Sequence, residues 1–399
     1  MRDVPLGLYA YRGPSGVSAV ALALDPEQTV GAWSGLRGHM IRERADAFTR
    51  DEWAFLIAFL DPVNLRWPFL STFGDPLGPV AGRVTALLRP RGAIALWLPN
   101  NVSLLGPLLV VLVSLVGSPL RIKAGSRSDD LTTAFLEYAR PRLAGVPLGD
   151  YLASVACAAF DRGDPRNRRL AEDAQVRLVF GGDAAARSID ELPHPLESSG
   201  FAFTDRRSEA WLEPSRVDDD LLLSLLRVFG IYGQTGCTSP RRVVLLGGTP
   251  ADASQLCNRL TALWPRAHPR PPPVHIASGN QMARQWAAAL GWEAVVAGGQ
   301  GAVFAVGDLD LEPCPAPMLL MVVAATLAQA EAALPANIQT IGHALTDAAH
   351  PRWLELLAHT RVRRFVPVAR MHHFGPVWDG WAFWRQLFDE VVLDPGVTP

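Results

Sequence analysis

The sequence predicts an α/β fold with a parallel sheet. Short apolar runs, typical of buried strands, alternate with longer apolar segments that are typical of helices. A strand–helix–strand unit is predicted over residues 93–123, and parallel strands need a helical crossover of this kind. A further strand, at residues 175–180, runs directly into Gly181 and Gly182, where backbone can approach a neighbouring group closely.

Length and composition indicate a globular chain. The 399 residues suffice for two or three domains at about 150 residues each. With 49% hydrophobic and 19% charged residues, the composition is not that of a disordered chain. The 37 basic and 39 acidic residues give a net charge of −2, so no long-range attraction to nucleic acid or to acidic lipid is expected.

The cysteines and the apolar segments indicate a cytoplasmic protein. Four cysteines form no CxxC pair and no dense framework, which favours a reducing compartment. The first 16 residues lack the unbroken apolar segment of a signal peptide. Residues 102–122 are apolar enough to suggest a membrane span, but Gly106, Pro107, Gly117 and Pro119 interrupt them, so we favour a buried helix.

The elements of the first half have local sequence reasons. Residues 51–60 begin with two acids and continue with apolar positions on several faces, which predicts a buried helix. Residues 93–98 and 120–123 predict buried strands on either side of the apolar helix. Pro99, Asn100 and Asn101 form the turn before that helix.

The second half contains a tight loop between two buried elements. Residues 218–232 predict a helix with three acids at its positive end, and Gly233 is a plausible stop. Residues 243–246 predict a strand, which leaves the sequence QTGCTSPRR at 234–242 as the loop. Residues 265–273 are proline-rich and predict an irregular surface connection.

Cys237, in that loop, is the most informative candidate for chemistry. A thiol with a pKa near ~8.5 needs nearby positive charge or N–H groups to become a thiolate, and Arg241 and Arg242 follow it. A cysteine is also a small buried hydrophobe in many proteins, and the loop alone leaves both interpretations open. His372 and His373 are adjacent and point different ways, so a structural or surface role is favoured over metal binding.

Several motifs, taken in order, resemble one protein family. These are LPNNVS at 98–103, LRIKAGS at 120–126, VFGGD at 179–183, QTGCTSP at 234–240, IQTIG at 338–342 and RRFVPVARMHHFGPVWDG at 363–380. Together they resemble the aldehyde dehydrogenase superfamily and, more narrowly, its LuxC branch of acyl-CoA and acyl-protein thioester reductases. The resemblance implies an aldehyde-dehydrogenase-like fold, with a Rossmann-type cofactor-binding domain at 1–215, an α/β catalytic domain at 216–393 and a tail at 394–399.

The resemblance also implies a reaction and its catalytic residues. Cys237 would attack an acyl thioester, and hydride transfer would then release an aldehyde. Asn101 and the backbone N–H of Cys237 would hold the developing oxyanion. If Ser208 matches the serine of the superfamily's Glu-Leu-Gly-Gly-Lys-Ser segment, Phe203 replaces the glutamate that hydrolyses the acyl enzyme. Glu209 is close in the sequence and could replace that glutamate, but the sequence does not fix where its side chain points.

The cofactor implied by the resemblance is NADPH, with NADH less favoured. Lys123 would reach the adenosine ribose, and Gly181 and Gly182 would let the backbone approach the cofactor. Ser126 stands where NAD-dependent relatives carry a glutamate, and Arg127 follows it, so a 2′-phosphate would be accepted. Lys123 and Arg127 are otherwise ordinary solvated charges at a strand end. The groups that hold the nicotinamide ribose stay open: FGPV at 374–377 lies on the wrong side of IQTIG for that role, and the region near Glu312 lacks the expected motif.

The resemblance also implies a substrate class and partners. The substrate would be an acyl thioester of CoA or of an acyl carrier protein, with an acyl-transferring partner possible, no metal, and a homo-oligomeric assembly by analogy. Two other functions stay open. The scaffold can be a non-catalytic subunit that binds an acyl carrier or another partner, with Cys237 structural, or a thioesterase that uses the same cysteine.

Overall fold

The computed structural model describes residues 6–125, 130–234, 236–310 and 317–394. The chain divides into two compact units, a first unit of residues 1–204 and 374–399 and a second unit of residues 205–373. This division differs from the expected limits of 1–215 and 216–393. The strand at 207–212 pairs within the second unit, and the chain returns to the first unit to add a strand at 388–392.

The first unit contains strands and helices from both ends of the chain. Its strands are β1 (Gly7–Gly13), β2 (Gly16–Leu22), β3 (Asp75–Pro79), β4 (Ala86–Pro90), β5 (Ile94–Trp97), β6 (Leu120–Ala124), β7 (Ala156–Ala159), β8 (Val176–Phe180), β9 (Ser199–Phe203) and, after the second unit, β17 (Phe388–Val392). Its helices are α1 (Pro26–Arg42), α2 (Arg50–Phe59), α3 (Pro62–Phe73), α4 (Leu105–Ser114), α5 (Thr132–Arg142), α6 (Pro147–Ser154), α7 (Arg166–Glu172) and α8 (Asp183–Asp190).

The second unit is a single continuous segment. Its strands are β10 (Arg207–Leu212), β11 (Pro240–Leu246), β12 (Glu293–Ala297), β13 (Ala302–Val306), β14 (Leu319–Ala324), β15 (Ile338–Ala344) and β16 (Arg364–Pro367). Its helices are α9 (Asp219–Gly230), α10 (Pro250–Ala267), α11 (Val274–Ala289), α12 (Leu327–Ala332) and α13 (Pro351–His359).

The described strands form three sheets. A parallel sheet in the first unit has the order β7-β6-β5-β8-β9, and all its neighbours run parallel. A second sheet in that unit, β17-β4-β2-β1-β3, is largely antiparallel. The sheet of the second unit, β12-β13-β14-β11-β10-β15-β16, is parallel except for β12. The predicted α/β class with a parallel sheet is therefore confirmed.

The second unit buries both faces of its sheet. Ala210 and Leu212 of β10 pack in one cluster with leucines of α9 and α10, whereas Trp211 packs in another with alanines of α11. Side chains of a strand alternate between faces, so a strand that is covered on both sides must be apolar throughout. The apolar run in β11 has the same cause, because Val243 lies in the first cluster and Val244 in the second.

Most predicted elements occur at the expected places. The structure has α2 at 50–59, β5 at 94–97, β6 at 120–124 and α9 at 219–230, with the Asp218 side chain capping α9 through the backbone N–H of Leu221. Two limits differ. β11 begins at Pro240 rather than at 243. α10 continues through Pro265 to Ala267, and the proline, which lies in the last turn of the helix, removes one backbone hydrogen bond there.

The apolar segment at 102–122 contains a buried helix, α4 (Leu105–Ser114), as expected. Every residue of α4 is buried, and the Trp33 indole Nε1 of α1 donates to the Ser114 hydroxyl at the end of α4, at 3.0 Å. Among the described residues, no helix has the length and apolar character needed to cross a bilayer.

Gly106 sets how closely α4 approaches the start of α5. A Cβ atom there would lie 1.7 Å from the Thr132 hydroxyl oxygen and 2.8 Å from a methyl carbon of Leu98. We expect Gly106→Ala to lower the free energy of unfolding by about 1–3 kcal/mol, because the methyl group overpacks a closed interior. Urea unfolding measures this.

Gly163→Ala is the matched control, since a Cβ at Gly163 meets nothing within 4 Å. We expect it to stay within about 0.5 kcal/mol of the parent protein. Equal stability of the two variants would contradict the close approach of α4 and α5.

Candidate active site

Four of the predicted site residues lie at one edge of the parallel sheet. Lys123 is opposite Trp97 in the β5–β6 register, and Trp97 is opposite Val179 in the β5–β8 register. The turn with Asn101 follows β5, and Gly181 and Gly182 follow β8. The carboxyl ends of β5, β6 and β8 therefore bring Asn101, Lys123 and the two glycines to the same edge.

This edge has the topology of a nucleotide-binding crevice. The chain leaves β5 towards β6 on one side, whereas β8 and β9 extend the sheet on the other side of β5. The strand order thus reverses between β5 and β8, and open α/β sheets bind ligands outside the carboxyl ends of strands at such a point. Of the cofactor residues inferred from the sequence, Lys123 on β6 lies on one side of this point, and Gly181 and Gly182 after β8 lie on the other.

The surroundings of Gly181 and Lys123 fit a ligand there. A Cβ at Gly181 would make only an ordinary contact of 3.6 Å with Ala185, so the protein's own packing does not require glycine. Gly182 is the residue before α8, whose N-terminal N–H groups therefore start at this edge. Lys123 is half-buried, and burial lowers the pKa of its ammonium group while Asp161 opposes that shift. Ser126, Arg127 and Glu312 lie outside the described residues.

Cys237 is in the second unit, in the loop between α9 and β11. Its side chain is half-buried, and Gly236 and Thr238 on either side are buried. Gly233 and Gln234 have left-handed backbone conformations, with φ of 60° and 66°. The Gln234 amide nitrogen donates to the Gly301 carbonyl oxygen at 2.8 Å, so the turn into the loop is fastened to the interior despite its unfavourable conformation.

Buried side chains from distant segments hold the cysteine loop. The Ser208 hydroxyl of β10 donates to the carbonyl oxygen of Cys237 at 2.7 Å. The Thr238 hydroxyl contacts Nδ1 of His372 at 2.5 Å, and Nε2 of that histidine contacts the Val228 carbonyl oxygen at 2.5 Å. Burial lowers the pKa of His372 to about 4, so this imidazole is neutral at pH 7.

Arg242, one of the two arginines expected to favour a thiolate, serves another purpose. Its guanidinium forms a 2.6 Å ion pair with Glu209 and donates to the carbonyl oxygens of Leu309 and Ala333. Both charged side chains are almost completely buried, and burial raises the pKa of Glu209 while Arg242 opposes that shift. Glu209 is therefore a core ion-pair partner and not a substitute general base.

The family model described as acyl-CoA reductase (LuxC) matches residues 85–388, about three quarters of the chain. The chain belongs to the LuxC family of acyl-CoA reductases. No curated protein matches this chain.

Solved structures of aldehyde dehydrogenases share the fold of this LuxC-family protein. An NAD-dependent benzaldehyde dehydrogenase from Corynebacterium glutamicum is 14% identical, with a TM-score of 0.65 over 92% of this chain and 85% of that one. An NAD-dependent aldehyde dehydrogenase from Sinorhizobium meliloti is 13% identical, with a TM-score of 0.66 over 94% and 84%. Lactaldehyde dehydrogenase from Escherichia coli is 13% identical, with a TM-score of 0.62 over 93% and 87%. The aldehyde-dehydrogenase-like fold is thus confirmed, and the LuxC-family chain is an aldehyde-related oxidoreductase.

Two further positions in the LuxC-family chain have structural explanations. Phe203 ends β9, is buried, and stacks on Phe180 with ring centroids 4.4 Å apart. Phe374, the first residue of FGPV, packs on Trp378 and Phe383. Both aromatic rings therefore belong to the apolar interior of the first unit.

Sequence reasoning gave His372 a structural or surface role, and the structure gives it a buried one beside the cysteine loop. Among the described residues, no group of three or more His, Cys, Asp or Glu side chains could hold a metal ion. No local signal in the sequence links Thr238 to a histidine 134 residues further along. The same holds for Ser208, whose partner lies 29 residues away.

His372 makes the free energy of unfolding depend on pH. Its folded pKa of about 4 lies below the unfolded value of about 6.5, so the unfolded chain binds a proton first as the pH falls. The stability associated with neutral His372 is fully present above about pH 6.5 and is lost as the pH falls towards 4. We expect a loss of up to about 3 kcal/mol over this window.

Urea unfolding of the parent protein and of His372→Gln at pH 7 and pH 4.5 measures this contribution. The stability of the variant should fall less between the two pH values, because the other titrating groups are common to both proteins. An equal fall in the free energy of unfolding of the two proteins would show that His372 has the same pKa in the folded and unfolded chains, which contradicts the prediction.

Proposed function

We propose that this protein reduces an acyl thioester, of CoA or of an acyl carrier protein, to an aldehyde with NADPH. The observation that carries the proposal is the placement of Cys237 in a LuxC-family chain. Cys237 is half-buried rather than enclosed in the core, and its carbonyl oxygen accepts a hydrogen bond from Ser208 of the interior strand β10. Such a cysteine is suited to nucleophilic catalysis, because the residue is partly exposed while a hydrogen bond holds its main-chain carbonyl group.

The first half-reaction transfers the acyl group to sulfur. The Cys237 thiolate attacks the thioester carbonyl carbon, the bond to the donor sulfur breaks, and CoA or the carrier protein leaves as a thiol after taking up a proton. The resemblance assigns the negative charge on the carbonyl oxygen to the Asn101 side-chain amide and to the backbone N–H of Cys237. Loss of one such donor costs on the order of 3 kcal/mol of barrier.

The second half-reaction releases the aldehyde. When bound, the reduced nicotinamide supplies hydride to the acyl carbonyl carbon. Collapse of the resulting thiohemiacetal breaks the carbon–sulfur bond and returns the Cys237 thiolate. Phe203 cannot activate water, and Glu209 is committed to Arg242, so neither side chain diverts the acyl enzyme to hydrolysis.

The cofactor residues of the proposal are those at the edge of the parallel sheet. Lys123 supplies positive charge to the adenosine ribose region, and Gly181 and Gly182 permit close approach of the backbone. Ser126 and Arg127 support NADPH, because a serine followed by an arginine leaves room and charge for a 2′-phosphate where a glutamate would repel it.

Cys237→Ala tests the nucleophile. We expect acyl-CoA and NADPH to give no oxidation of the nicotinamide with this variant and no acyl adduct by mass spectrometry of the intact protein, because the attacking sulfur is gone. Cys157→Ser is the matched control, since Cys157 is another half-buried thiol, located on β7 of the first unit. It should retain activity.

Other outcomes of the same assay would contradict the proposal. Release of free thiol and free acid without consumption of NADPH would identify a thioesterase. Binding of acyl-CoA with neither product would identify a binding subunit, and reduction that persists in Cys237→Ala would exclude this cysteine as the nucleophile.

Lys123→Met tests the cofactor site. We expect the KM for NADPH to rise about tenfold or more, with little change in the KM for acyl-CoA, because a charge-assisted hydrogen bond to the cofactor is lost. Arg121→Met is the matched control: Arg121 lies two residues earlier on β6, carries the same charge, and is paired with Asp173. Equal effects of the two variants on the KM for NADPH would argue against a specific role for Lys123.

A further inference from the structure

A buried chain of hydrogen bonds ends at the residue next to Cys237. Thr238 is 3% exposed and His372 is 7% exposed, and the two side chains meet at 2.5 Å. The far nitrogen of the imidazole is 2.5 Å from the carbonyl oxygen of Val228, in the last turn of α9. The chain therefore runs from the cysteine loop through His372 to the backbone of the preceding helix.

The partners decide which atoms donate. A carbonyl oxygen only accepts, so Nε2 of His372 carries the hydrogen and donates it to Val228. Nδ1 of the neutral ring is then an acceptor, and Thr238 must donate its hydroxyl hydrogen to it. The Thr238 hydroxyl hydrogen therefore points to Nδ1 of His372, and this hydrogen bond fixes the orientation of the Thr238 side chain.

His372 is itself held in place. The Arg364 guanidinium of β16 donates to the carbonyl oxygens of Arg370, Met371 and His373, at 3.1, 2.8 and 3.0 Å. The Tyr232 ring stands edge-on to the imidazole, with centroids 4.8 Å apart. The turn that carries His372 is thus fastened on both sides of the residue, and the ring is packed from the direction of the cysteine loop.

The other polar groups of the loop are fastened to the same elements. Ser208 of β10 holds the carbonyl oxygen of Cys237 at 2.7 Å. The Ser239 hydroxyl donates to the Val228 carbonyl oxygen at 3.2 Å, so that one oxygen accepts from both Ser239 and His372. The peptide between Cys237 and Thr238 is consequently held from its carbonyl side by β10 and from its Thr238 side by His372.

We propose that Thr238 and His372 are positioning residues for Cys237, which hold its backbone and direct its sulfur towards the acyl donor. This inference rests on the proposed role of Cys237 as nucleophile. The two residues act through the main chain and touch neither substrate nor cofactor. A displacement of a nucleophile by about 1 Å can cost on the order of 10²-fold in rate, which sets the scale of the expected effect.

Thr238→Val and Thr238→Ser form the primary test. Valine keeps the shape of threonine but has no hydroxyl to donate, whereas serine keeps the hydroxyl. We expect Thr238→Val to lower the single-turnover rate of Cys237 acylation by about tenfold to a hundredfold, with the KM for NADPH within about twofold of the parent value. Thr238→Ser should recover most of the acylation rate.

A second pair of variants separates positioning from mere packing. His372→Asn places an amide near the position of Nδ1 and can still accept from Thr238. His372→Gln places an amide near Nε2, so it can still donate to Val228 but leaves Thr238 unmatched. We expect the Asn variant to acylate faster than the Gln variant, whichever of the two has the higher stability in urea. If the Gln variant acylates as fast as the Asn variant or faster, the positioning role is refuted.

Alkylation of Cys237 by iodoacetamide, followed by peptide mass spectrometry, provides a readout that needs no enzymatic activity. Its rate should change in Thr238→Val and return towards the parent value in Thr238→Ser. Unchanged alkylation and acylation in folded Thr238→Val would overturn the inference while an inert Cys237→Ala still supported the proposed function. Reduction by Cys237→Ala would remove the proposed function, and the alkylation rates would still decide whether Thr238 and His372 position this thiol.

Discussion

The parallel pairing of β10 with β11 is the constraint on which the second unit depends. Ser208 lies opposite Pro240 and Glu209 opposite Arg242 in this register, so one ladder sets both the end of the cysteine loop and the place of the buried ion pair. Because β10 also pairs with β15, it lies in the interior of the sheet and cannot shift without breaking both ladders. The Cys237 loop is therefore anchored to a strand, β10, that is paired on both sides.

This arrangement gives neighbouring polar residues separate tasks. Ser208 points to the loop and holds the Cys237 carbonyl, whereas Glu209 pairs with Arg242 within the interior. A buried arginine without a counter-charge is strongly unfavourable, so Arg242 and Glu209 must stay paired with each other in the interior of the sheet. The main chain beside Cys237 is then held by two neutral, hydrogen-bonded side chains, Thr238 and His372.

Parallel strand pairing also places the candidate cofactor residues of the first unit. Its parallel sheet aligns the carboxyl ends of β5, β6 and β8, so that residues far apart in the chain share one edge. The fully buried α4 forms the crossover between β5 and β6, and Gly106 lets it pack closely against the start of α5. The edge that carries Lys123 and the glycines is thereby supported by a closed apolar interior.

The sequence alone determined the fold class, the main buried strands and helices, the family and the candidate nucleophile. These features depend on local patterns: apolar runs of strand length, acids at the start of α9, and motifs whose order is visible in one dimension. The tertiary structure decided which polar residues meet, because hydrogen bonds such as Thr238 to His372 join segments that are 134 residues apart. It also decided that Arg242 neutralises Glu209, since only the register of β10 and β11 places those charges opposite each other in the buried interior of the sheet.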